Sequence, residues 1–345
     1  MTSIIGIVAA VLSGILNGSF AAPMKRIVKW EWENTWLLYA VSALLLFPTL
    51  IVTLTVPNLL AIYSDVPTGA LLRTVLFGAG WGVGSLLFGL GLHLLGLSLG
   101  FTIMMGITAV AGALIPMAVQ NPEQLPTSGG ITILAAMVAT VVGVIFCGTA
   151  GGLRDKAVRA DKQEQKEKTA FGVALAVGIL SGILSPMLNF AFSFGVPIAE
   201  SAKTHLSGPA ADFLASNTVW LVALLGGFIP FFSYCCYLLC KRGTWSNFRQ
   251  PGTRGNWLMA GLMGALWISC IMSYGASTTL LGQLGTTMGW LILMSVSVLT
   301  ANLWGVATGE WREAPRKAHV LMLLGLGVLV GSVILVGVGK SLLSY

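Results

Sequence analysis

Apolar runs of about 20 residues, the length that crosses a hydrocarbon core as a helix, recur along this chain with short polar bursts between them. Ten can be marked, at 3–23, 34–56, 70–93, 97–120, 130–152, 171–193, 216–240, 256–277, 283–308 and 318–340. The runs are continuous, not alternating, so they do not read as barrel strands, and backbone in lipid must satisfy its own hydrogen bonds within each helix. The pattern predicts an all-α, polytopic membrane protein with ten transmembrane helices. The first run lacks a basic segment before it and is followed by many like it, so it reads as a retained helix and not a cleaved signal.

Composition agrees, with 56% hydrophobic residues and only 9% charged, against roughly 25% charged in a soluble domain. Of the 19 Lys and Arg, 16 fall in alternate loops, between the first and second, fifth and sixth, seventh and eighth, and ninth and tenth runs. The positive-inside rule then makes those loops cytoplasmic and both termini external. The net charge of +7 is explained by these loops and needs no nucleic-acid partner. One burst, KRIVKWEWENTW at residues 25–36, gathers five charges and three tryptophans; Trp30, Trp32 and Trp36 are expected at headgroup depth with Lys25, Arg26 and Lys29 facing anionic lipid.

The hydrophilic segment RDKAVRADKQEQKEK divides the chain into halves at 1–153 and 171–345, with 154–170 as a solvated linker. The halves resemble each other. LSGIL occurs at 12–16 and again at 180–184; Asn34-Thr35 and Asn217-Thr218 each precede a proline, Pro48 and Pro230; Gly78-Ala79-Gly80-Trp81 with Phe88-Gly89 returns as Gly264-Ala265-Leu266-Trp267 with Tyr274-Gly275. Five helices per copy reverse the second copy in the membrane, predicting an inverted 5+5 repeat and hence a secondary transporter working by alternating access.

Several of these stretches carry a family likeness. Phe20 and Pro23 at the end of the first helix, KRIVKWEWENTW, FGAGWGVGSLLFGL in the third, MGIT at 105–108 and Glu310-Trp311 together resemble the L-rhamnose/proton symporter family of the drug/metabolite transporter superfamily. The resemblance spans the whole chain and implies ten helices, a bacterial inner membrane and proton-linked uptake of a sugar. The alternative on the same scaffold is a drug or metabolite exporter or a facilitator. Against a small multidrug antiporter stands the absence of any acid in the first helix.

A sugar needs a few convergent hydrogen-bonding side chains and flat apolar faces. Candidates are Asn17 and Ser13 on the first helix and, on its repeat mate, Ser181, Ser185 and Asn189, the last two sharing a face and matching the family. Trp81 and Ser85 share a face on the third helix, Trp267 and Tyr274 on the eighth, Gln283 and Trp290 on the ninth. Each also has a plainer reading, because Ser and Asn join transmembrane helices. The alternating Gly78, Gly80, Gly82 and Gly84 predict close approach on more than one face of the third helix.

Proton coupling needs a titrating group. Glu33, which the resemblance places at the glutamate of a Trp-x-Trp-Glu pattern, and His93 at the end of the third helix are the candidates; Glu33 otherwise serves its helix dipole or pairs with Lys29. The five cysteines lie in apolar runs without acidic or histidine neighbours, and no nucleotide-binding loop, zinc motif or nucleophile elbow occurs. No cofactor or metal, and no enzymatic activity, is expected.

Overall fold

The computed structural model describes residues 2–95, 97–159, 171–208 and 210–343. All regular structure among them is helical. Ten helices are long and apolar enough to cross a membrane: α1 (Ser3–Arg26), α2 (Trp32–Thr55), α3 (Thr68–Leu95), α4 (Leu99–Gln120), α5 (Ser128–Ala157), α6 (Phe171–Lys203), α7 (Ala211–Arg242), α8 (Arg254–Leu281), α9 (Gly285–Ala307) and α10 (Arg316–Leu343). The expected linker at 154–170 lies outside the described residues from 160 onward.

Two helices depart from a uniform rod. The α6 run, expected to stop at 193, continues to Lys203 in three pieces, Phe171–Leu184, Met187–Phe194 and Val196–Lys203. Pro186 and Pro197 explain the breaks, since proline has no N–H to donate and its ring crowds the preceding turn. In α2, Val41–Leu46 widens into a π-turn in which the Phe47 N–H reaches back to the Ser42 carbonyl. Pro48 follows directly, and the wider turn absorbs the carbonyl it would otherwise strike.

Neighbours occur in matched sets. α1 packs on α8 and α9, and α6 on α3 and α4; α2 packs on α8, and α7 on α3. α2 meets α7, α4 meets α9 and α5 meets α10. Replacing each helix by the one five places away leaves these pairings unchanged.

The α3 glycines serve two faces. A Cβ on Gly78 would lie 1.9 Å from the Ala223 carbonyl oxygen, and one on Gly82 2.6 Å from that of Gly227, both on α7. Cβ atoms on Gly80 and Gly84 would instead meet α6, 2.2 Å from Met187 Sδ and 2.7 Å from Leu184 Cβ. Small residues at the contact let two helix backbones approach, the main source of packing energy where lipid competes for apolar surface. Gly78→Ala is therefore expected to lower the melting temperature of the detergent-purified protein strongly, because the clash is with backbone that cannot swing aside. Gly89→Ala, with open space around the new methyl, is the control; equal melting of the two variants would contradict the tight α3–α7 contact.

The tryptophan-rich stretch is stitched to the loop between α7 and α8 and to the first turn of α8. Trp30 Nε1 donates to the Asn247 carbonyl at 3.0 Å, Lys29 Nζ to that of Pro251 at 2.9 Å, and Asn256 Nδ2 to that of Val28 at 2.7 Å. The Trp30 ring meets Phe248 and Trp257 edge-on, at 5.1 and 5.8 Å. Trp30 is thus a loop-to-loop contact, whereas Trp32 is exposed. At the same end Lys25 and Arg154 converge on Glu310, and the Arg154 guanidinium lies 5.1 Å from the centre of the Trp311 ring. The Lys25 hydrogen bond, reinforced by both positive charges, holds the Glu310 carboxyl below the ordinary carboxylate range.

Candidate functional site

The break in α6 places Asn189 in the first turn of a new helical segment, with its side chain fully buried. Its Nδ2 donates to the Gly112 carbonyl on α4 at 2.7 Å, and its Oδ1 accepts from the Tyr274 hydroxyl on α8. That hydroxyl also lies 3.0 Å from the Thr286 carbonyl oxygen on α9. It has one proton for two acceptors, so the arrangement leaves acceptor capacity for another donor. Trp290 on α9 closes the group: its Nε1 donates to the Thr108 carbonyl at 3.1 Å and its ring stands 6.0 Å from Tyr274. Gly112 admits that indole, since a Cβ there would stand 2.2 Å from Trp290 Nε1. Asn189, Tyr274 and Trp290 are therefore brought together from α6, α8 and α9 against the α4 backbone.

A second group meets one helical face away. Trp81 and Trp267, the matching tryptophans of the two Gly-Ala-x-Trp stretches, stack on each other at 5.2 Å and 20°. Tyr39 approaches the edge of Trp267 at 6.1 Å. Trp267 and Tyr274 share a face of α8 and connect the two groups. Ser185 and Ser85 are half-buried; Ser185 lies one turn before Asn189, at the bend where a Cβ on Gly84 would meet its backbone nitrogen at 2.8 Å.

Other candidates fall elsewhere. Asn17 Nδ2 donates to Ser297 Oγ at 2.9 Å and joins α1 to α9. Ser13 bonds the Ala10 carbonyl of its own helix, and Ser181 Oγ donates to that of Gly84 at 3.0 Å. Gln283 is exposed before the start of α9, where its Nε2 donates to Glu123 Oε1 at 3.3 Å. The face it was expected to share with Trp290 requires both on one helix, and Gln283 lies in the turn before Gly285, where α9 begins. A cleft of ≈ 700 Å³ opens at the basic-loop end, lined by Leu37, Leu38, Val41, Trp245, Phe248 and Trp257 among others, none of them a candidate.

Glu33 sits at the start of α2 and is fully buried. It pairs not with Lys29 but with Arg242 at the end of α7: Nη1 donates to Oε2 at 3.0 Å, while Thr244 Oγ1 donates to Oε1 at 2.8 Å. Glu31 and Asn34 form a capping box around it, the reciprocal side-chain-to-backbone bonding that starts a helix. His93 is exposed at the end of α3. Sequence reasoning missed Arg242 and Thr244, and it missed Phe192 and Trp220, which stack at 4.3 Å beside Tyr274. An aromatic inside a long apolar run gives no signal of its own.

Comparison with known proteins decides the family. The family described as L-rhamnose-proton symport protein matches residues 1–342. The chain belongs to this family. Members of the L-rhamnose-proton symport protein family that it resembles include the L-rhamnose-proton symporters of Shigella dysenteriae serotype 1 and Escherichia coli strain 55989, each 30% identical over 329 residues, 93% of this chain and 94% of the relative. The L-rhamnose-proton symporter of Shigella boydii serotype 18 is 29% identical over the same length and shares. The family match takes in every helix that carries Asn189, Tyr274, Trp290, Trp81, Trp267 and Glu33.

Proposed function

We propose that this protein is a secondary transporter that takes up L-rhamnose, or a closely related deoxysugar, together with a proton. The observation that carries the reading is the match along nearly the whole chain to relatives named L-rhamnose-proton symporters. The site suits the task. Asn189 and Tyr274 supply hydrogen-bonding groups for sugar hydroxyls, and Trp290, Trp81 and Trp267 supply flat apolar faces for the C–H surface and the methyl group. Ser185 and Ser85 flank them; Asn17 and Gln283 act at the edges, through the α1–α9 contact and the loop carrying Glu123.

Glu33 is the proton-binding group in this scheme. Protonation removes the negative charge that holds Arg242 and so loosens the junction between the start of α2 and the end of α7, coupling proton occupancy to opening at that end. His93 is the reserve candidate. The halves 1–153 and 171–345, joined by the charged linker 154–170, exchange conformations as inverted repeats; the matched helix pairings support this. The likeness to bacterial symporters supports a bacterial inner-membrane location, and the bias of basic residues supports an orientation with the α1–α2, α5–α6, α7–α8 and α9–α10 loops cytoplasmic and both termini periplasmic.

Whole-cell uptake of labelled L-rhamnose tests the reading against fucose, lyxose, mannose and common drugs. Accumulation of L-rhamnose that collapses with a protonophore is the expected result. Drug efflux without sugar uptake would favour the exporter, and sugar equilibration without accumulation a facilitator.

A further inference from the structure

Asn217 on α7 is fully buried, and neither its Nδ2 nor its Oδ1 meets a hydrogen-bond partner among the described residues. One turn further, Trp220 is equally buried and its Nε1 is also without a partner. Three orphaned polar atoms thus lie on one face of one helix. Buried polar atoms in native proteins are nearly always satisfied, and each exception calls for a reason.

The matching residue of the other half sharpens the anomaly. Asn34 is buried to the same degree, yet its Nδ2 donates to the Thr244 carbonyl at 2.9 Å while its Oδ1 accepts from Asn247 Nδ2 at 3.2 Å and from the Glu31 N–H at 3.1 Å. An asparagine at this place in the repeat is therefore readily satisfied by protein, and Asn217 is not.

The surroundings of Trp220, one turn from Asn217, point to the candidate site. The Trp220 ring stacks on Phe192 at 4.3 Å and 9°, and its centre lies 5.9 Å from that of Tyr274, the residue bonded to Asn189. Gly275, next to Tyr274, packs closely on the indole N–H without giving it an acceptor: a Cβ there would stand 2.6 Å from Trp220 Nε1 and 3.1 Å from Ser216 Oγ. Buried polar atoms that the protein leaves unpartnered beside such a site can be satisfied by the hydrogen-bonding groups of a ligand.

We propose that Asn217 and Trp220 are sugar-binding residues that extend the Asn189–Tyr274 group onto α7. The amide offers a donor and an acceptor side by side, the complement of two adjacent hydroxyls, and the indole N–H offers a further donor to a neighbouring oxygen. The inference rests on the transport reading above and adds to it the residues that read the configuration of the ring hydroxyls.

The test uses the purified full-length protein, its thermal unfolding followed against concentration of L-rhamnose, L-mannose, L-lyxose and L-fucose. The first three share the configuration of their ring hydroxyls, whereas L-fucose differs. Asn217→Leu is expected to leave the sugar-free midpoint unchanged or raised, because an unsatisfied amide is removed. It should also weaken L-rhamnose binding by about tenfold or more and narrow the preference over L-fucose. Trp220→Phe, which keeps a stacking ring and loses only the N–H, should weaken binding by roughly threefold to tenfold without a fall in midpoint. Wild-type affinity and selectivity in both variants would overturn the inference alone. So would a lowered sugar-free midpoint with unchanged affinity, the mark of a structural water at Asn217. A wild-type protein whose midpoint responds to none of the four sugars would overturn the transport reading with it.

Discussion

Asn189→Ala is expected to abolish L-rhamnose uptake while folded protein still reaches the membrane. The side chain occupies the break in α6 and holds both the Gly112 carbonyl and the Tyr274 hydroxyl. Loss of its hydrogen bond to a sugar hydroxyl should cost about 1–3 kcal/mol, or roughly tenfold to a hundredfold in affinity. Loss of its bonds within the protein should lower stability by a similar amount, a drop of a few degrees in melting temperature for a chain of this size. The two effects separate in a companion variant. Tyr274→Phe keeps the ring against Trp290 and Phe192 and removes only the hydroxyl, so it should retain measurable uptake with weakened affinity. If Asn189→Ala transports every sugar with wild-type affinity, Asn189 is a tie between α6, α4 and α8 and no more.

Glu33→Gln should eliminate uphill uptake driven by an imposed pH gradient in vesicles while sugar exchange at equal pH continues. Glutamine still accepts from Thr244 but carries no charge for Arg242, so the site resembles its permanently protonated form. Persistence of both activities would transfer proton coupling to His93 or leave a facilitator, and loss of both would make Glu33 structural. Arg242→Ala is expected to be the harsher change, because it removes the charged partner of a buried carboxylate and leaves it only Thr244; the half-exposed Arg242 side chain keeps the cost below the about 3–5 kcal/mol of a pair buried on both sides. Adding Glu33→Gln to Arg242→Ala should then recover much of the lost folded protein, measured as monodisperse yield from membranes, though not accumulation.

Much of the architecture was legible because hydropathy reports length directly. The fourth run, marked at 97–120, is helical over Leu97–Gln120, and the repeated Gly-Ala-x-Trp stretches marked out Trp81 and Trp267, which the fold stacks on one another. The far part of α6 was not legible, since Glu200 and Lys203 end the apolar run although the backbone stays helical. For the site, spacing reported which residues share a helix face and nothing about what that face meets. A shared face for Ser185 and Asn189 presupposed an unbroken helix, whereas α6 breaks between them, and the same reasoning could not tell that Asn17 faces Ser297 or that Gln283 lies before α9 beside Glu123. The partner of Glu33 was beyond reach for another reason. Lys29 was near in sequence, whereas Arg242 is near only after α2 and α7 have packed.

That last pairing has a bearing on how the chain is made. Glu33 and Arg242 are 209 residues apart, so at roughly 5–20 residues per second the arginine leaves the ribosome about 10–40 s after the glutamate. For most of that interval α1 and α2 are already synthesised while the carboxylate lacks both Arg242 and Thr244. The partners that hold the start of α2 against the end of α7 are therefore missing until α7 is complete, so the α2–α7 junction is among the contacts that close late in synthesis.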